Sequence, residues 1–161
     1  MTFKKKCLLG TLIFCINLIH FFLFENFFDI IIINSIIFAG YIDYKKFIIP
    51  DTSVIIILIV SLFNFSIYNL IISIIIFLLL LNFYKKKKMG FGDVKLLTVL
   101  SLYFGYEIFF IIIFSIILII ILNFKKEQAK IPFGFYIMFG VLINLFMRWF
   151  YDPLQNYWFP F

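Results

Sequence analysis

Charge is what this chain has least of. Only 14% of its 161 residues are charged while 65% are hydrophobic, against about 25% and 45–50% in soluble domains. A soluble fold this small leaves too much surface in water to hide so many Ile and Phe side chains, so a water-soluble domain is excluded. Cysteine and histidine are scarce too. Cys7, Cys15 and His20 all fall in the first apolar run, and no Cys-x-x-Cys pair occurs. That argues against a disulfide framework or a zinc site. The cysteines read as small apolar packing residues and His20 as structural. The chain also lacks the apolar–polar alternation that strands of a membrane barrel need. No Ala-x-Ala-like cleavage site follows the first run, so residues 7–24, behind the lysines at 4–6, read as an uncleaved anchor rather than a signal peptide.

What the chain does have is long unbroken apolar stretches, such as 30–33, 55–60 and 111–122. A bilayer core of roughly 30 Å takes about 20 helical residues to cross, and a helix satisfies its own backbone groups in lipid. The high Ile and Phe content carries little weight for strands there. The predicted fold is therefore all-α, a polytopic transmembrane helical bundle.

Lysines punctuate the apolar runs at 4–6, 45–46, 85–88 with Lys95, and at Lys125, Lys126 and Lys130. With every cluster on the cytoplasmic side, as the positive-inside rule asks, the segments alternate without conflict. The spans are 7–24, 28–42, 52–68, 70–84, 94–106, 107–124 and 131–150. That is about seven crossings with a cytoplasmic N-terminus. The inner face then holds 13 lysines against Asp43, Asp51, Asp93 and Glu127, and the outer face Arg148 against Glu25, Asp29, Glu107 and Asp152. Residues 52–84 are barely enough for two crossings and too many for one. Two short crossings with a tight turn near Asn69 fit the charge rule; one long tilted helix is the alternative. Residues 1–27 form an anchor segment, 28–150 a membrane domain, and 151–161 an external aromatic tail. Trp149, Phe150, Tyr151, Tyr157 and Trp158 read as an interfacial belt, and the lysines at 85–88 as contacts to anionic headgroups of the bilayer. Nucleic acid is not an expected partner.

Two acids stand out. Asp43 lies in the segment 39–51, Ala-Gly-Tyr-Ile-Asp-Tyr-Lys-Lys-Phe-Ile-Ile-Pro-Asp, and Asp93 in 89–97, Met-Gly-Phe-Gly-Asp-Val-Lys-Leu-Leu. Both sit where a span meets the cytoplasmic surface, and an even number of crossings separates them, so they can meet on one face. Carboxylates at a membrane edge are costly unless solvated, paired or useful. Two that share a small site do not both ionise easily, which yields an acid and a base from one residue type. The base takes a proton from water and the acid serves the scissile carbonyl. Gly90 and Gly92, lacking Cβ, let the backbone bend and a substrate strand come close. Asp51, after Pro50, reads as a helix N-cap. Lys95 either tunes Asp93 or anchors the helix by snorkelling. Pro132, Phe133 and Gly134 suit the first turn of the last helix.

Taken in order, Asp43 with Ile49-Pro50-Asp51, then Gly90-Phe91-Gly92-Asp93-Val94-Lys95-Leu96, then Ile131-Pro132-Phe133-Gly134, resemble the type IV prepilin peptidase family over roughly 28–145. The resemblance implies that Asp43 and Asp93 are a catalytic pair, that no metal or other cofactor is needed, and that the substrates are prepilins or pseudopilins. The cut then falls between a basic leader and an apolar helix at the cytoplasmic face of the bacterial inner membrane. The Pro-Phe-Gly motif favours the bacterial branch, and Gly90, Gly92, Lys95, Pro132, Phe133 and Gly134 become substrate-binding or site-shaping residues. Many family members carry a cytoplasmic domain with two Cys-x-x-Cys pairs, associated with methylating the new N-terminus. Only six residues precede the first span here, so peptidase activity without methyl transfer is expected. Two other readings stay open: a non-catalytic component of a pilus or secretion system, and a presenilin-like intramembrane aspartic protease.

Overall fold

The computed structural model describes residues 27–123 and 131–158. Six helices follow one another: α1 (Phe27–Lys46), α2 (Asp51–Phe63), α3 (Ile67–Lys85), α4 (Phe91–Phe104), α5 (Ile108–Asn123) and α6 (Phe133–Trp158), with a 3-10 turn at Gly105–Glu107 between α4 and α5. Among the described residues there is no strand. Three stretches are long and apolar enough to cross a membrane: α1, α3, and Phe91–Leu122 taken through the 3-10 turn. α2 and the apolar part of α6 are shorter. The first predicted span, 7–24, lies outside the described residues, as do Cys7, Cys15, His20, Lys125, Lys126, Glu127 and Lys130.

The helices are apolar on their outward faces as well as inward. Ile55 and Ile59 on α2, Ile75 and Leu78 on α3, and Ile113 and Ile120 on α5 are all exposed. An apolar surface running all round a helix belongs to a buried or lipid-facing element, so these outward faces are those of a membrane protein. Inside, small residues let the backbones approach, as helix packing in lipid requires. A Cβ at Gly140 on α6 would lie 2.4 Å from Ser115 Oγ and 2.6 Å from Ile111 O on α5. One at Gly40 on α1 would lie 2.9 Å from Met138 Cβ on α6.

Residues 52–84 are two helices, as the two-crossing reading requires. The break is at 64–66 rather than at Asn69, where extended Ser66 (φ −130°, ψ 133°) starts the new helix. Asn69 sits within the first turn of α3 and donates to Tyr103 O at 3.4 Å. The Asp51 reading is corrected. Pro50 is the N-cap and offers no side-chain bond, while Asp51 stands inside the helix and accepts from Lys95 Nζ at 2.9 Å. The helix of the 94–106 span begins earlier, at Phe91, so Asp93 lies within its first turn. Gly105 (φ 57°, ψ −126°) turns the chain after α4, a left-handed φ that an L side chain resists. α6 also runs past the predicted boundary at 150, to Trp158.

Contacts sort the helix ends into two groups. At one end lie the Phe28–Phe63 ring pair, with centroids 5.9 Å apart, the Tyr103–Asp29 hydrogen bond and the Arg148–Glu107 ion pair. At the other end lie Asp43 against the start of α6, Lys95 with Asp51 and Tyr84 against Phe91. The six described helices therefore run back and forth between the two ends.

Candidate active site

Asp43 stands in the last turn of α1 and is buried. Its carboxylate faces the first turn of α6. The Phe135 N–H donates to Asp43 Oδ2 at 3.2 Å, and the Gly134 N–H faces the same carboxylate. α6 begins after Pro132, which has no side-chain oxygen with which to cap it, and the first N–H groups of any helix lack intrahelical partners. Asp43, from α1, fills that place. Gly134 makes the approach possible: a Cβ there would be 3.1 Å from Asp43 Oδ2 and 3.0 Å from Ile49 Cδ1.

Asp93 is the third residue of α4, whose N-cap is Gly90. Its carboxylate faces the Gly90 N–H, the reach-back of a capping box. That local role explains why an acid follows Gly90 by three positions, whatever else Asp93 does. A Cβ on Gly90 would lie 3.1 Å from Asp93 Oδ2. Ile49, in the α1–α2 connection, is buried. It wedges between the two glycine motifs, since a Cβ on Gly92 would meet Ile49 Cβ at 3.2 Å.

The two carboxylates line one open cavity of about 1000 Å³ and lie within electrostatic reach of each other. Gly90 and Phe133 border the same cavity, as does Ile119 of α5. Gly92, Lys95, Pro132 and Gly134 are adjacent in the fold but do not line it. Lys95 points to Asp51 and over the Phe91 ring at 5.1 Å.

Several residues at the cavity had no signal as site residues in the sequence. Phe47 and Lys87 both line it and both hold positive φ, 55° and 54°. Such non-glycine strain gathers at functional sites. Lys87 ends α3 in a Schellman arrangement, with Lys88 N–H donating to Phe83 O at 3.0 Å and Lys87 N–H to Tyr84 O at 2.8 Å. The usual marker, a glycine, is missing at both positions. Lys85, Lys87 and Lys88, read from sequence as headgroup contacts, also form part of the cavity rim.

An apolar helical bundle whose separate helices bring two aspartates to one open cavity has the architecture of a helical membrane protein with a two-carboxylate site. Residues 30–124 match the type IV leader peptidase family, and the chain belongs to that family of peptidases. The match takes in Asp43, Gly90, Gly92, Asp93 and Lys95 and ends before Pro132. No curated protein and no solved structure matches the chain.

Proposed function

We propose that this chain is a multi-pass aspartic endopeptidase of the bacterial inner membrane, cutting the leader from prepilin- or pseudopilin-type substrates at the cytoplasmic face. The observation that carries the reading is the shared cavity: Asp43 from α1 and Asp93 from α4 both line it. In the proposed reaction one carboxylate takes a proton from water while the other donates to the scissile carbonyl oxygen. The water oxygen bonds to the carbonyl carbon, the C–N bond then breaks, and a proton passes to the leaving nitrogen. Two carboxylates in different protonation states supply both roles.

Gly90 leaves room at the cavity wall beside Asp93, and Gly92 and Gly134 let Ile49 and Asp43 pack close behind it. Pro132 and Phe133 start α6 so that its amides meet Asp43. Lys95 braces the first turn of α4 against α2 through Asp51.

Helix ends support the orientation. Asp43, Lys45, Lys46, the lysines at 85–88 and Asp93 gather at one end, and Asp29 and Glu107 at the other. With the positive-inside rule, this grouping supports a reading of seven crossings with a cytoplasmic N-terminus, of which the first, 7–24, lies outside the described residues. The test is direct. Purified protein in detergent or liposomes should shorten a prepilin with a basic leader, and Asp43→Asn and Asp93→Asn should each abolish the cut. Cleavage by either variant at near the parent rate sinks the two-carboxylate assignment.

A further inference from the structure

The packing divides the described helices into two halves. α1 and α5 pack on α6, and α2 and α3 pack on α4; the halves join along α1–α2, while α4 meets α5 and α6 only thinly. Asp43 belongs to the first half and Asp93 to the second, and α1 and α4 share little direct packing. Direct packing of α1 on α4 therefore adds little to fixing the separation of the two carboxylates, which near the cavity rests on Ile49 between them. At the end of the bundle remote from the cavity, however, two polar ties cross the seam. Tyr103 OH on α4 donates to Asp29 Oδ1 on α1 at 2.6 Å, and Asp29 is 2% exposed. Arg148 Nη2 on α6 donates to Glu107 Oε1 at 2.9 Å and Oε2 at 3.0 Å, and Asn144 Nδ2 donates to Glu107 Oε2 at 2.8 Å. Both Asp29 and Tyr103 lie within electrostatic reach of Arg148, so the two ties form one cluster.

We propose that this cluster is a positioning clamp for the aspartate pair: the Tyr103–Asp29 bond, backed by Glu107, Arg148 and Asn144, locks α1 against α4 and so sets the spacing of Asp43 and Asp93. The inference rests on the proposed peptidase reading for its catalytic consequence, not for its geometry. The lever arms are the helices themselves. Asp29 and Asp43 are fourteen residues apart on α1, and Tyr103 and Asp93 ten residues apart on α4, about 21 Å and 15 Å along the axes at 1.5 Å per residue. Buried acids in an apolar bundle are costly, and a core could cover the same volume with leucine. What leucine lacks is direction. A short hydrogen bond fixes the rotation and height of one helix against the other, whereas apolar surfaces slide.

The experiment pairs kinetics with a distance. Tyr103→Phe removes one hydroxyl and keeps the ring packing, and Asp29→Asn keeps an oxygen that can accept from Tyr103. Tyr103→Phe should lower kcat by about tenfold to 10²-fold, the cost of roughly 1 Å of misplacement, with KM for a prepilin unchanged. Asp29→Asn should keep most of the activity, and Asp29→Leu should behave like Tyr103→Phe. Nitroxide labels at Lys46→Cys and Lys85→Cys, one in each half, report the seam without any catalysis. Tyr103→Phe should broaden their distance distribution, and Asp29→Asn should not. An unchanged distribution in Tyr103→Phe, or a loss of activity through KM alone, overturns the clamp. If the distribution broadens but the parent protein cuts no prepilin, the clamp stands and the peptidase reading falls.

Discussion

Asp43 has two jobs that a single substitution can separate. Its oxygen accepts the Phe135 N–H at 3.2 Å, and under the proposed mechanism it also handles a proton. Asn keeps the acceptor and loses the proton chemistry, so Asp43→Asn should fold like the parent and be inactive. Asp43→Ala loses both and should also unfold more readily, by about 1 kcal/mol, the usual cost of a lost helix cap. Thermal unfolding in detergent beside a cleavage assay distinguishes the two. Gly134→Ala tests the same contact from the other side. Its Cβ would press on Asp43 Oδ2 and Ile49 Cδ1, so activity should drop steeply while membrane insertion persists. Asp51→Asn should keep most activity. Asp51 is exposed and its bridge to Lys95 lies at the surface, where such pairs contribute about 0–1 kcal/mol. Lys87 presents a contrasting case. An L residue in the left-handed region costs about 1–2 kcal/mol, so Lys87→Gly should raise the unfolding temperature in detergent, and an assay of cleavage beside it shows whether the strained backbone also serves the cavity.

At the scale of elements, the turn between α2 and α3 decides the topology. If 64–66 lies outside, α2 and α3 each cross, and Asp43 and Asp93 share a face. Cysteines at Phe65 and Lys86, both exposed, in a background without Cys7 and Cys15, should label oppositely with an impermeant thiol reagent on intact cells. Position 65 should react from outside, and position 86 only after permeabilisation. If position 65 reacted only after permeabilisation, the orientation would be wrong. α2 is 13 residues long, about 20 Å at 1.5 Å per residue, short of a roughly 30 Å core. Its N-terminus, where exposed Asp51 is bridged by Lys95, lies at the surface of the bundle.

For the whole molecule, the distribution of charge has a consequence for substrate choice. The cavity that holds both aspartates is rimmed by Lys85, Lys87 and Lys88. A basic leader entering there meets like charge, which slows association and weakens binding. Replacing all three lysines with Gln should therefore lower KM for a basic-leader substrate and flatten the dependence on salt, with kcat little changed. A rise in KM instead would show that the lysines contact the substrate favourably, through acidic groups of its own.

The sequence by itself determined the class of solvent and most of the helix plan, because both depend on local quantities. A helix in lipid must be continuously apolar, and its ends must carry the charges, so spans and lysine clusters are visible residue by residue. The motifs around Asp43 and Asp93 were legible for the same reason: a Gly at the N-cap followed by an acid three positions on is a local pattern. Tertiary structure alone decided the rest. Asp51 meets Lys95 across 44 residues, Asp43 caps a helix that begins 90 positions later in the chain, and Tyr103 finds Asp29 across 74. Lipid gives helices no hydrophobic reason to choose one apolar face over another. Which faces meet therefore depends on where small residues permit approach and where polar groups find partners, and neither is written in the hydropathy of any single segment.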